Sequence, residues 1–257
     1  MDEVVEGAVK RVIDLMRENL SERITIDDMA RAAMFSKFHF SRVFLRATGV
    51  SPGRFLSAMR LEAAKRLLRS TQLSVTDISH QVGYASVGTF SSRFRSCVGM
   101  APSAYRRLGG VVSAGVDDIV DTAALHHTGL ATISGRVFSS PSHLPEFVVI
   151  ALFPGPIPQG LPVACTAIEG HGQYELTDVP AGTWYVLACS FSPAADDVIP
   201  APRSAEDRGP YVGTYGPVEI ASSADSPRAD ITLRPMTALD PPILLAVNAA
   251  RSLSMSA

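Results

Sequence analysis

One pattern is written twice between Thr25 and Tyr105, and this internal repeat restricts the fold more than any other feature of the chain. Thr25 falls on Ser74 and Asp28 on Asp77 at a shift of 49; one extra residue in the following turn makes the shift 50. In that second register Ser36, Phe40, Ser41, Phe44, Gly49 and Pro52 return as Ser86, Phe90, Ser91, Phe94, Gly99 and Pro102, with Phe55 matched by Tyr105. Each copy reads as a short helix, a tight turn and a second helix closed by glycine. A second helix held this way across a first can lie in the major groove of a duplex and present side chains to base edges.

The flanking residues extend the helical reading. Thr25–Asp28 and Ser74–Asp77 resemble capping boxes with an acidic third residue, and Ser51-Pro52 sets proline at a first helical position, where a missing N–H costs nothing. Apolar residues recur at helical spacing in Val5, Val9, Val12, Ile13 and Met16, and again in Leu56, Met59, Ala63, Leu67 and Leu68. The spacing predicts helices over roughly 3–19, 25–33, 36–47, 52–69, 75–81, 87–97 and 102–108.

Proline usage marks where this grammar ends: two of the 18 prolines, Pro52 and Pro102, precede Gly109 and 16 follow it. Beyond it come short β-rich runs at 131–138, 147–153, 163–168, 173–176, 184–191, 218–221 and 229–233. The chain therefore reads as two domains, an all-α N-terminal domain with two helix-turn-helix units joined by a long helix, and an all-β antiparallel sandwich. The expected boundaries are 1–108 for the first domain, 109–129 for a linker with one weak helix near 117–125, 130–248 for the sandwich and 249–257 for a tail. A loop is expected over 192–209.

Charge divides the same way. Residues 1–108 carry 17 basic against 10 acidic side chains, and residues 109–257 carry 6 against 15. Between Arg31 and Arg107 there are 13 basic residues and two acidic ones, Glu62 and Asp77. That excess suits a polyanion, because neutralised phosphates release counterions. The connector from Pro52 to Arg69 would span roughly 27 Å at 1.5 Å per residue, which suits two recognition helices about one turn of B-DNA apart.

Within the first recognition helix Phe40, Val43, Phe44 and Ala47 form the inward stripe, leaving Lys37, Phe38, His39, Ser41, Arg42 and Arg46 for the other faces. His39 reads as partly packed or near a phosphate. In the second, Phe90 and Phe94 point inward while Val87, Gly88, Thr89, Ser92, Arg93 and Arg95 remain outside. Ser36 and Ser86 cap the two helices, where neighbouring N–H groups could also meet phosphate.

The run Ile26–Phe44 followed by Thr48–Pro52, the connector Leu61–Leu68, and the closing segment from Gly83-Tyr84 to Pro102–Arg106 resemble the AraC/XylS family of bacterial transcription regulators. The resemblance covers roughly Arg11 to Leu108. It implies that Phe38, Ser41 and Arg42 stand at base-reading positions, with Arg42 able to hold a guanine O6/N7 edge. Ser92 departs from the commoner family pattern, which has a basic residue there; Arg93 follows it. Family regulators usually carry this module at the C-terminus, whereas here it comes first. In the second half, Ile133–Phe138, Val148–Pro154 and Gly172–Val186 resemble a transthyretin-like, carboxypeptidase-regulatory-type β-sandwich, a fold that brings no chemistry of its own.

No catalytic or metal-binding pattern accompanies these features, and no cofactor is expected. His126, His127, His143 and His171 lack HExxH spacing, and neither a nucleophile elbow nor a phosphate-binding glycine loop is present. Cys97, Cys165 and Cys189 lack CxxC spacing and read as buried free thiols in preference to a Cys165–Cys189 bridge. No secretory leader is seen, and the apolar run 243–247 is too short to span a bilayer. The expectation is a cytoplasmic regulator that binds double-stranded DNA, with no membrane partner. Its β-domain would take a small-molecule effector, with Phe147, Tyr174, Trp184, Tyr185, Tyr211 and Tyr215 as pocket candidates, or mediate self-association. The alternative is an enzyme or a carbohydrate- or protein-binding module tethered to DNA.

Overall fold

The computed structural model describes residues 3–109, 131–140, 145, 147–191 and 210–244. The expected linker helix, the 192–209 loop, His126, His127, His143 and the 249–257 tail lie outside the described residues. Contacts divide the chain into two compact units, Met1–Gly110 together with Thr237–Leu244, and Val111–Met236 together with Leu245–Ala257.

The first unit holds seven described helices: α1 (Glu3–Glu18), α2 (Ile26–Ala32), α3 (Lys37–Thr48), α4 (Pro52–Ser70), α5 (Val75–Gln81), α6 (Val87–Val98) and α7 (Pro102–Arg107). Their starts are set by local chemistry. Thr25 Oγ1 accepts from the Asp28 N–H at 3.2 Å while the Asp28 carboxylate accepts from the Thr25 N–H at 2.9 Å, and Ser74 and Asp77 repeat the exchange. Ser36 and Ser86 accept from the His39 and Thr89 N–H groups. Gly49 and Gly99 end α3 and α6 in the left-handed region, each donating its N–H to the last turn.

The repeat recurs in the interior as two aromatic chains. Phe40, Phe44 and Phe55 meet edge to face with centroids 5.5 Å apart at each step. Phe90, Phe94 and Tyr105 form the second chain at 5.6 Å per step, tilted between Phe90 and Phe94 and edge to face between Phe94 and Tyr105, with Tyr84 added edge to face at 5.3 Å from Phe90. Phe40, Phe44, Phe55, Phe90, Phe94 and Tyr105 are fully buried, so each copy has its own apolar centre; α4 contributes Phe55 to the first, and Leu68 near its other end is buried as well. The inward stripe of α3 differs from expectation at one position: Thr48 is buried and Ala47 only half-buried. Thr48 Oγ1 donates to Phe44 O and accepts from the Val50 N–H, which lets a hydroxyl sit in the core.

The second unit contains β1 (Ala131–Phe138), β2 (Phe147–Phe153), β3 (Cys165–Glu169), β4 (Gly172–Val179), β5 (Gly182–Phe191), β6 (Tyr211–Ile220), β7 (Ile231–Thr232) and β8 (Arg234–Pro235). They form a three-stranded sheet ordered β4-β1-β7 and a five-stranded sheet ordered β3-β2-β5-β6-β8. Val137, Leu176 and Ile231 from one sheet and Val148, Ile150, Val186 and Val218 from the other join one buried cluster. The expectation of a wholly antiparallel unit needs correction, since β7 pairs with β1 in parallel. The expected single run 229–233 is also split: Ile231–Thr232 joins the first sheet and Arg234–Pro235 the second. β6 begins seven residues earlier than 218–221 predicts, because Gly213, Gly216 and Pro217 break the alternation. Gly213 is required there; a Cβ would stand 2.4 Å from Ile231 Cγ2.

Cys165 pairs across from Ala151 and Cys189 across from Val149, on opposite sides of β2. Strands two apart are separated by roughly 9–10 Å, beyond disulfide reach, and both thiols are free. Burial pushes the Cys189 thiol up to about 12. The expected pocket residues divide between two clusters: Tyr174, Trp184 and Tyr211 belong to or pack against the main core, and Tyr185 packs against a smaller cluster of Ala151, Phe153 and Leu187. Tyr174 is in the core with its hydroxyl donating to Ala229 O, and the Trp184 indole N–H donates to Pro180 O at 2.9 Å.

Candidate nucleic-acid interface

Burying Phe40, Val43 and Phe44 fixes which face of α3 looks outward, and burying Phe90 and Phe94 does the same for α6. On α3, Ser36, Lys37, Phe38, His39, Arg42 and Arg46 are exposed and Ser41 is half-buried. On α6, Ser86, Val87, Gly88, Thr89, Ser92, Arg93 and Arg95 are all exposed. Because the buried positions correspond through the repeat, the outward positions correspond as well.

These side chains differ in how free they are. Lys37 is tied to Asp27 of α2 at 2.8 Å, which draws its charge toward the first helix of the pair. The Ser41 hydroxyl donates to Lys37 O at 2.9 Å, and Ser86 Oγ donates to Thr89 Oγ1 at 2.9 Å. His39 packs edge to face on Phe35, with centroids 4.7 Å apart, so its ring is held at the turn. Phe38 is 87% exposed, an unusual state for a large apolar ring. Arg42 lies one turn after Phe38, on the same side of α3, exposed and without an ion pair among the described residues.

The census of 13 cations overstates the charge available at the surface. Lys65 is buried against Glu62 at 3.0 Å, and Arg31 pairs with Asp28. Arg60 of α4 donates to Leu20 O at 3.0 Å and to Glu22 O at 2.6 Å; Arg106 of α7 donates to Leu68 O at 3.2 Å and to Leu73 O at 2.6 Å. Both guanidinium forks therefore hold backbone carbonyls just ahead of α2 and α5: Arg60 takes two in the connection after α1, and Arg106 takes one in the last turn of α4 and one in the connection after it. Burial lowers the Arg60 pKa below its ordinary value, and it raises that of the neighbouring Tyr84 hydroxyl, which lies 3.5 Å from Ser57 Oγ. Sequence reasoning missed this clamp role. The only signal was that Arg60 and Arg106 each fall on a helix with a buried apolar face.

A profile described as a helix-turn-helix domain matches residues 29–108. Over 98 residues, 38% of the chain, the sequence is 31% identical to the HTH-type transcriptional activator AarP of Providencia stuartii, and the match covers 73% of that protein. It is 30% identical over 104 residues, 40% of the chain, to the lactose operon transcription activator of Staphylococcus xylosus, spanning 37% of that longer protein. Among solved structures, the DNA-binding domain of AdpA in complex with a target DNA is similar at 30% identity and a TM-score of 0.38, covering 38% of this chain and 89% of that one. No helix among the described residues is long and apolar enough to cross a membrane.

Proposed function

The chain belongs to the AraC-type helix-turn-helix transcription regulators, and on that premise we propose that it reads a long, asymmetric duplex site by setting α3 and α6 into successive major grooves. The observation that carries this reading is the correspondence of the two buried aromatic chains, which leaves matching faces of α3 and α6 outward. The 19 residues of α4 between them span roughly 28 Å, compatible with the roughly 34 Å repeat of one face of B-DNA.

The roles follow from chemistry. Arg42 offers two parallel donors to a guanine O6/N7 edge, and Phe38 offers an apolar surface to a thymine methyl. Arg46, Arg93 and Arg95 neutralise phosphates, which position the protein without reading sequence. Ser36 and Ser86, with the first-turn N–H groups of their helices, meet the backbone at the groove edges. Val87, Gly88, Thr89 and Ser92 give α6 a weaker base-reading set than α3. Lys37 and Ser41, held within the protein, and His39, held on Phe35, shape the entry of α3 into the groove.

The functional division is the helical unit for DNA and the β unit, read as a sandwich, for modulation through a small molecule or a second copy of the chain. Footprinting the full chain on genomic fragments tests the proposal. Protection of two adjacent major grooves on one face is expected. A footprint confined to a single helical turn would remove α6 from the reading, and failure to bind duplex DNA at low ionic strength would remove the reading altogether.

A further inference from the structure

The segment that leaves the β unit does not end there. Thr237–Leu244 returns to the helical unit, so the Val111–Met236 portion of the second unit is connected to the first at both ends, after Gly110 and before Thr237. The Lys65 ammonium on α4 donates to Ile243 O at 3.1 Å as well as to the Glu62 carboxylate, and Ile243 and Leu244 are buried. Glu62 and Lys65 are themselves 7% and 3% exposed, and Glu62 Oε1 has no hydrogen-bond partner among the described residues.

We propose that Thr237–Leu244 is a releasable latch on α4, and that its release strengthens DNA binding by freeing the acid-rich second unit from one of its two connections to the basic first unit. The coupling half of this proposal rests on the DNA-binding reading above. The docking half does not.

The composition of the seam favours reversibility. An ion pair three residues apart on a helix is inexpensive in water, but sealing it beneath another segment removes the hydration of both charges. Here the seal also strands a carboxylate oxygen, whose lost hydrogen bonds to water are restored when the segment leaves. An apolar pair at 62 and 65 would close the same seam more tightly. Ile243 and Leu244 hold the latch by apolar burial against an ionic penalty, and that opposition brings the docked and released states close in free energy.

The latch follows the last strand directly in sequence. β8 pairs with β6, and the Met236 N–H donates to Pro210 O at 3.0 Å. The next residues form a tight turn in which Thr237 N and Oγ1 both donate to the Asp240 carboxylate and Asp240 N donates to Thr237 O. Pro241-Pro242 then fixes two backbone angles immediately before the anchors. Residues 111–236 carry 14 acidic against 5 basic side chains, so a second tether raises the local concentration of negative charge around the basic unit, which opposes phosphate approach. That opposition fades with salt.

Two full-length variants test the latch without changing net charge. Ile243→Ser with Leu244→Ser should release it, and Glu62→Leu with Lys65→Met should seal it. Hydrogen exchange of the α4 amides is expected to quicken in the first and slow in the second. At low ionic strength the released chain should bind duplex DNA at least about fivefold more tightly than the unmodified chain, and the sealed chain more weakly, with both differences vanishing at high salt. Unchanged α4 exchange in both variants overturns the latch, whatever the DNA result. Altered exchange with unchanged affinity overturns the coupling. If the released variant does not fold, the sealed variant decides alone, since it must show both slower exchange and weaker binding. An unmodified chain that ignores DNA refutes the DNA-binding reading and leaves the exchange comparison standing.

Discussion

Met34 and Gly83 occupy the same place in the two turns, and both are left-handed, at φ 59° and 82°. Their surroundings are opposite. Met34 is 84% exposed, whereas a Cβ on Gly83 would lie 2.3 Å from Leu20 O and 2.7 Å from the Arg60 guanidinium. Gly83→Ala should therefore cost about 3 kcal/mol, the sum of left-handed strain and overpacking, and disturb the Arg60 clamp. Met34→Gly should be neutral or stabilise by up to about 1 kcal/mol, since it removes the strain at the cost of chain entropy. Denaturant midpoints of the two variants measure both. At the DNA face, Arg42→Ala should weaken binding by about 1–3 kcal/mol and erase preference at one base pair. Arg93→Ala should weaken all sequences alike and reduce the salt slope. A uniform loss in both would assign Arg42 to phosphate, and competition binding on single-base variants of the footprinted site distinguishes the cases.

At the scale of elements, each short helix depends on its first turn, because seven residues bury too little to persist alone. Ser74→Ala removes the acceptor for the Asp77 N–H and should cost about 1 kcal/mol, seen as a lower melting temperature of the helical unit. Asp28 adds a pH dependence. The Thr25 hydroxyl, then the Thr25 N–H and Arg31, hold its carboxyl below the usual aspartate range. Its folded pKa is thus lower than its unfolded value near about 3.9, so its contribution is complete above that value and is lost as pH falls through the folded one. Asp28→Asn should be less stable than the unmodified chain at neutral pH, with the gap closing in acid. A gap of constant size down to acid unfolding would show that the carboxylate charge contributes nothing. In the sheets, Cys189 with its thiol raised to about 12 and the burial-raised Cys165 should alkylate slowly in the native protein, and both quickly in denaturant.

For the whole molecule, the helical unit is discontinuous, and a fragment ending at Leu108 should keep its seven helices but melt below the same unit in the full chain, since it lacks Ile243 and Leu244. Equal melting, followed by far-ultraviolet circular dichroism, would mean that the return segment adds no stability. The helices were legible because their signals are local: Thr25–Asp28 and Ser74–Asp77 each close a box within four residues, and the aromatic repeat assigns an inside and an outside to α3 and α6 before any packing is known. The exposed set from Lys37 to Arg95 follows from that phase alone. Less legible were β6, where Gly213 is explained only by Ile231 of another strand, and the run 229–233, whose two ends join different sheets. Local sequence thus determined the helical elements, their capping and the outward faces of the repeat, because such choices depend on residues a few positions apart. Tertiary structure alone decided that Arg60, Arg106 and Lys65 hold carbonyls, that Cys165 and Cys189 lie across β2 from each other, and that residue 243 meets residue 65. A charged side chain has the same spelling in water and in a seam, and its partner is settled by which distant backbone folding brings within reach.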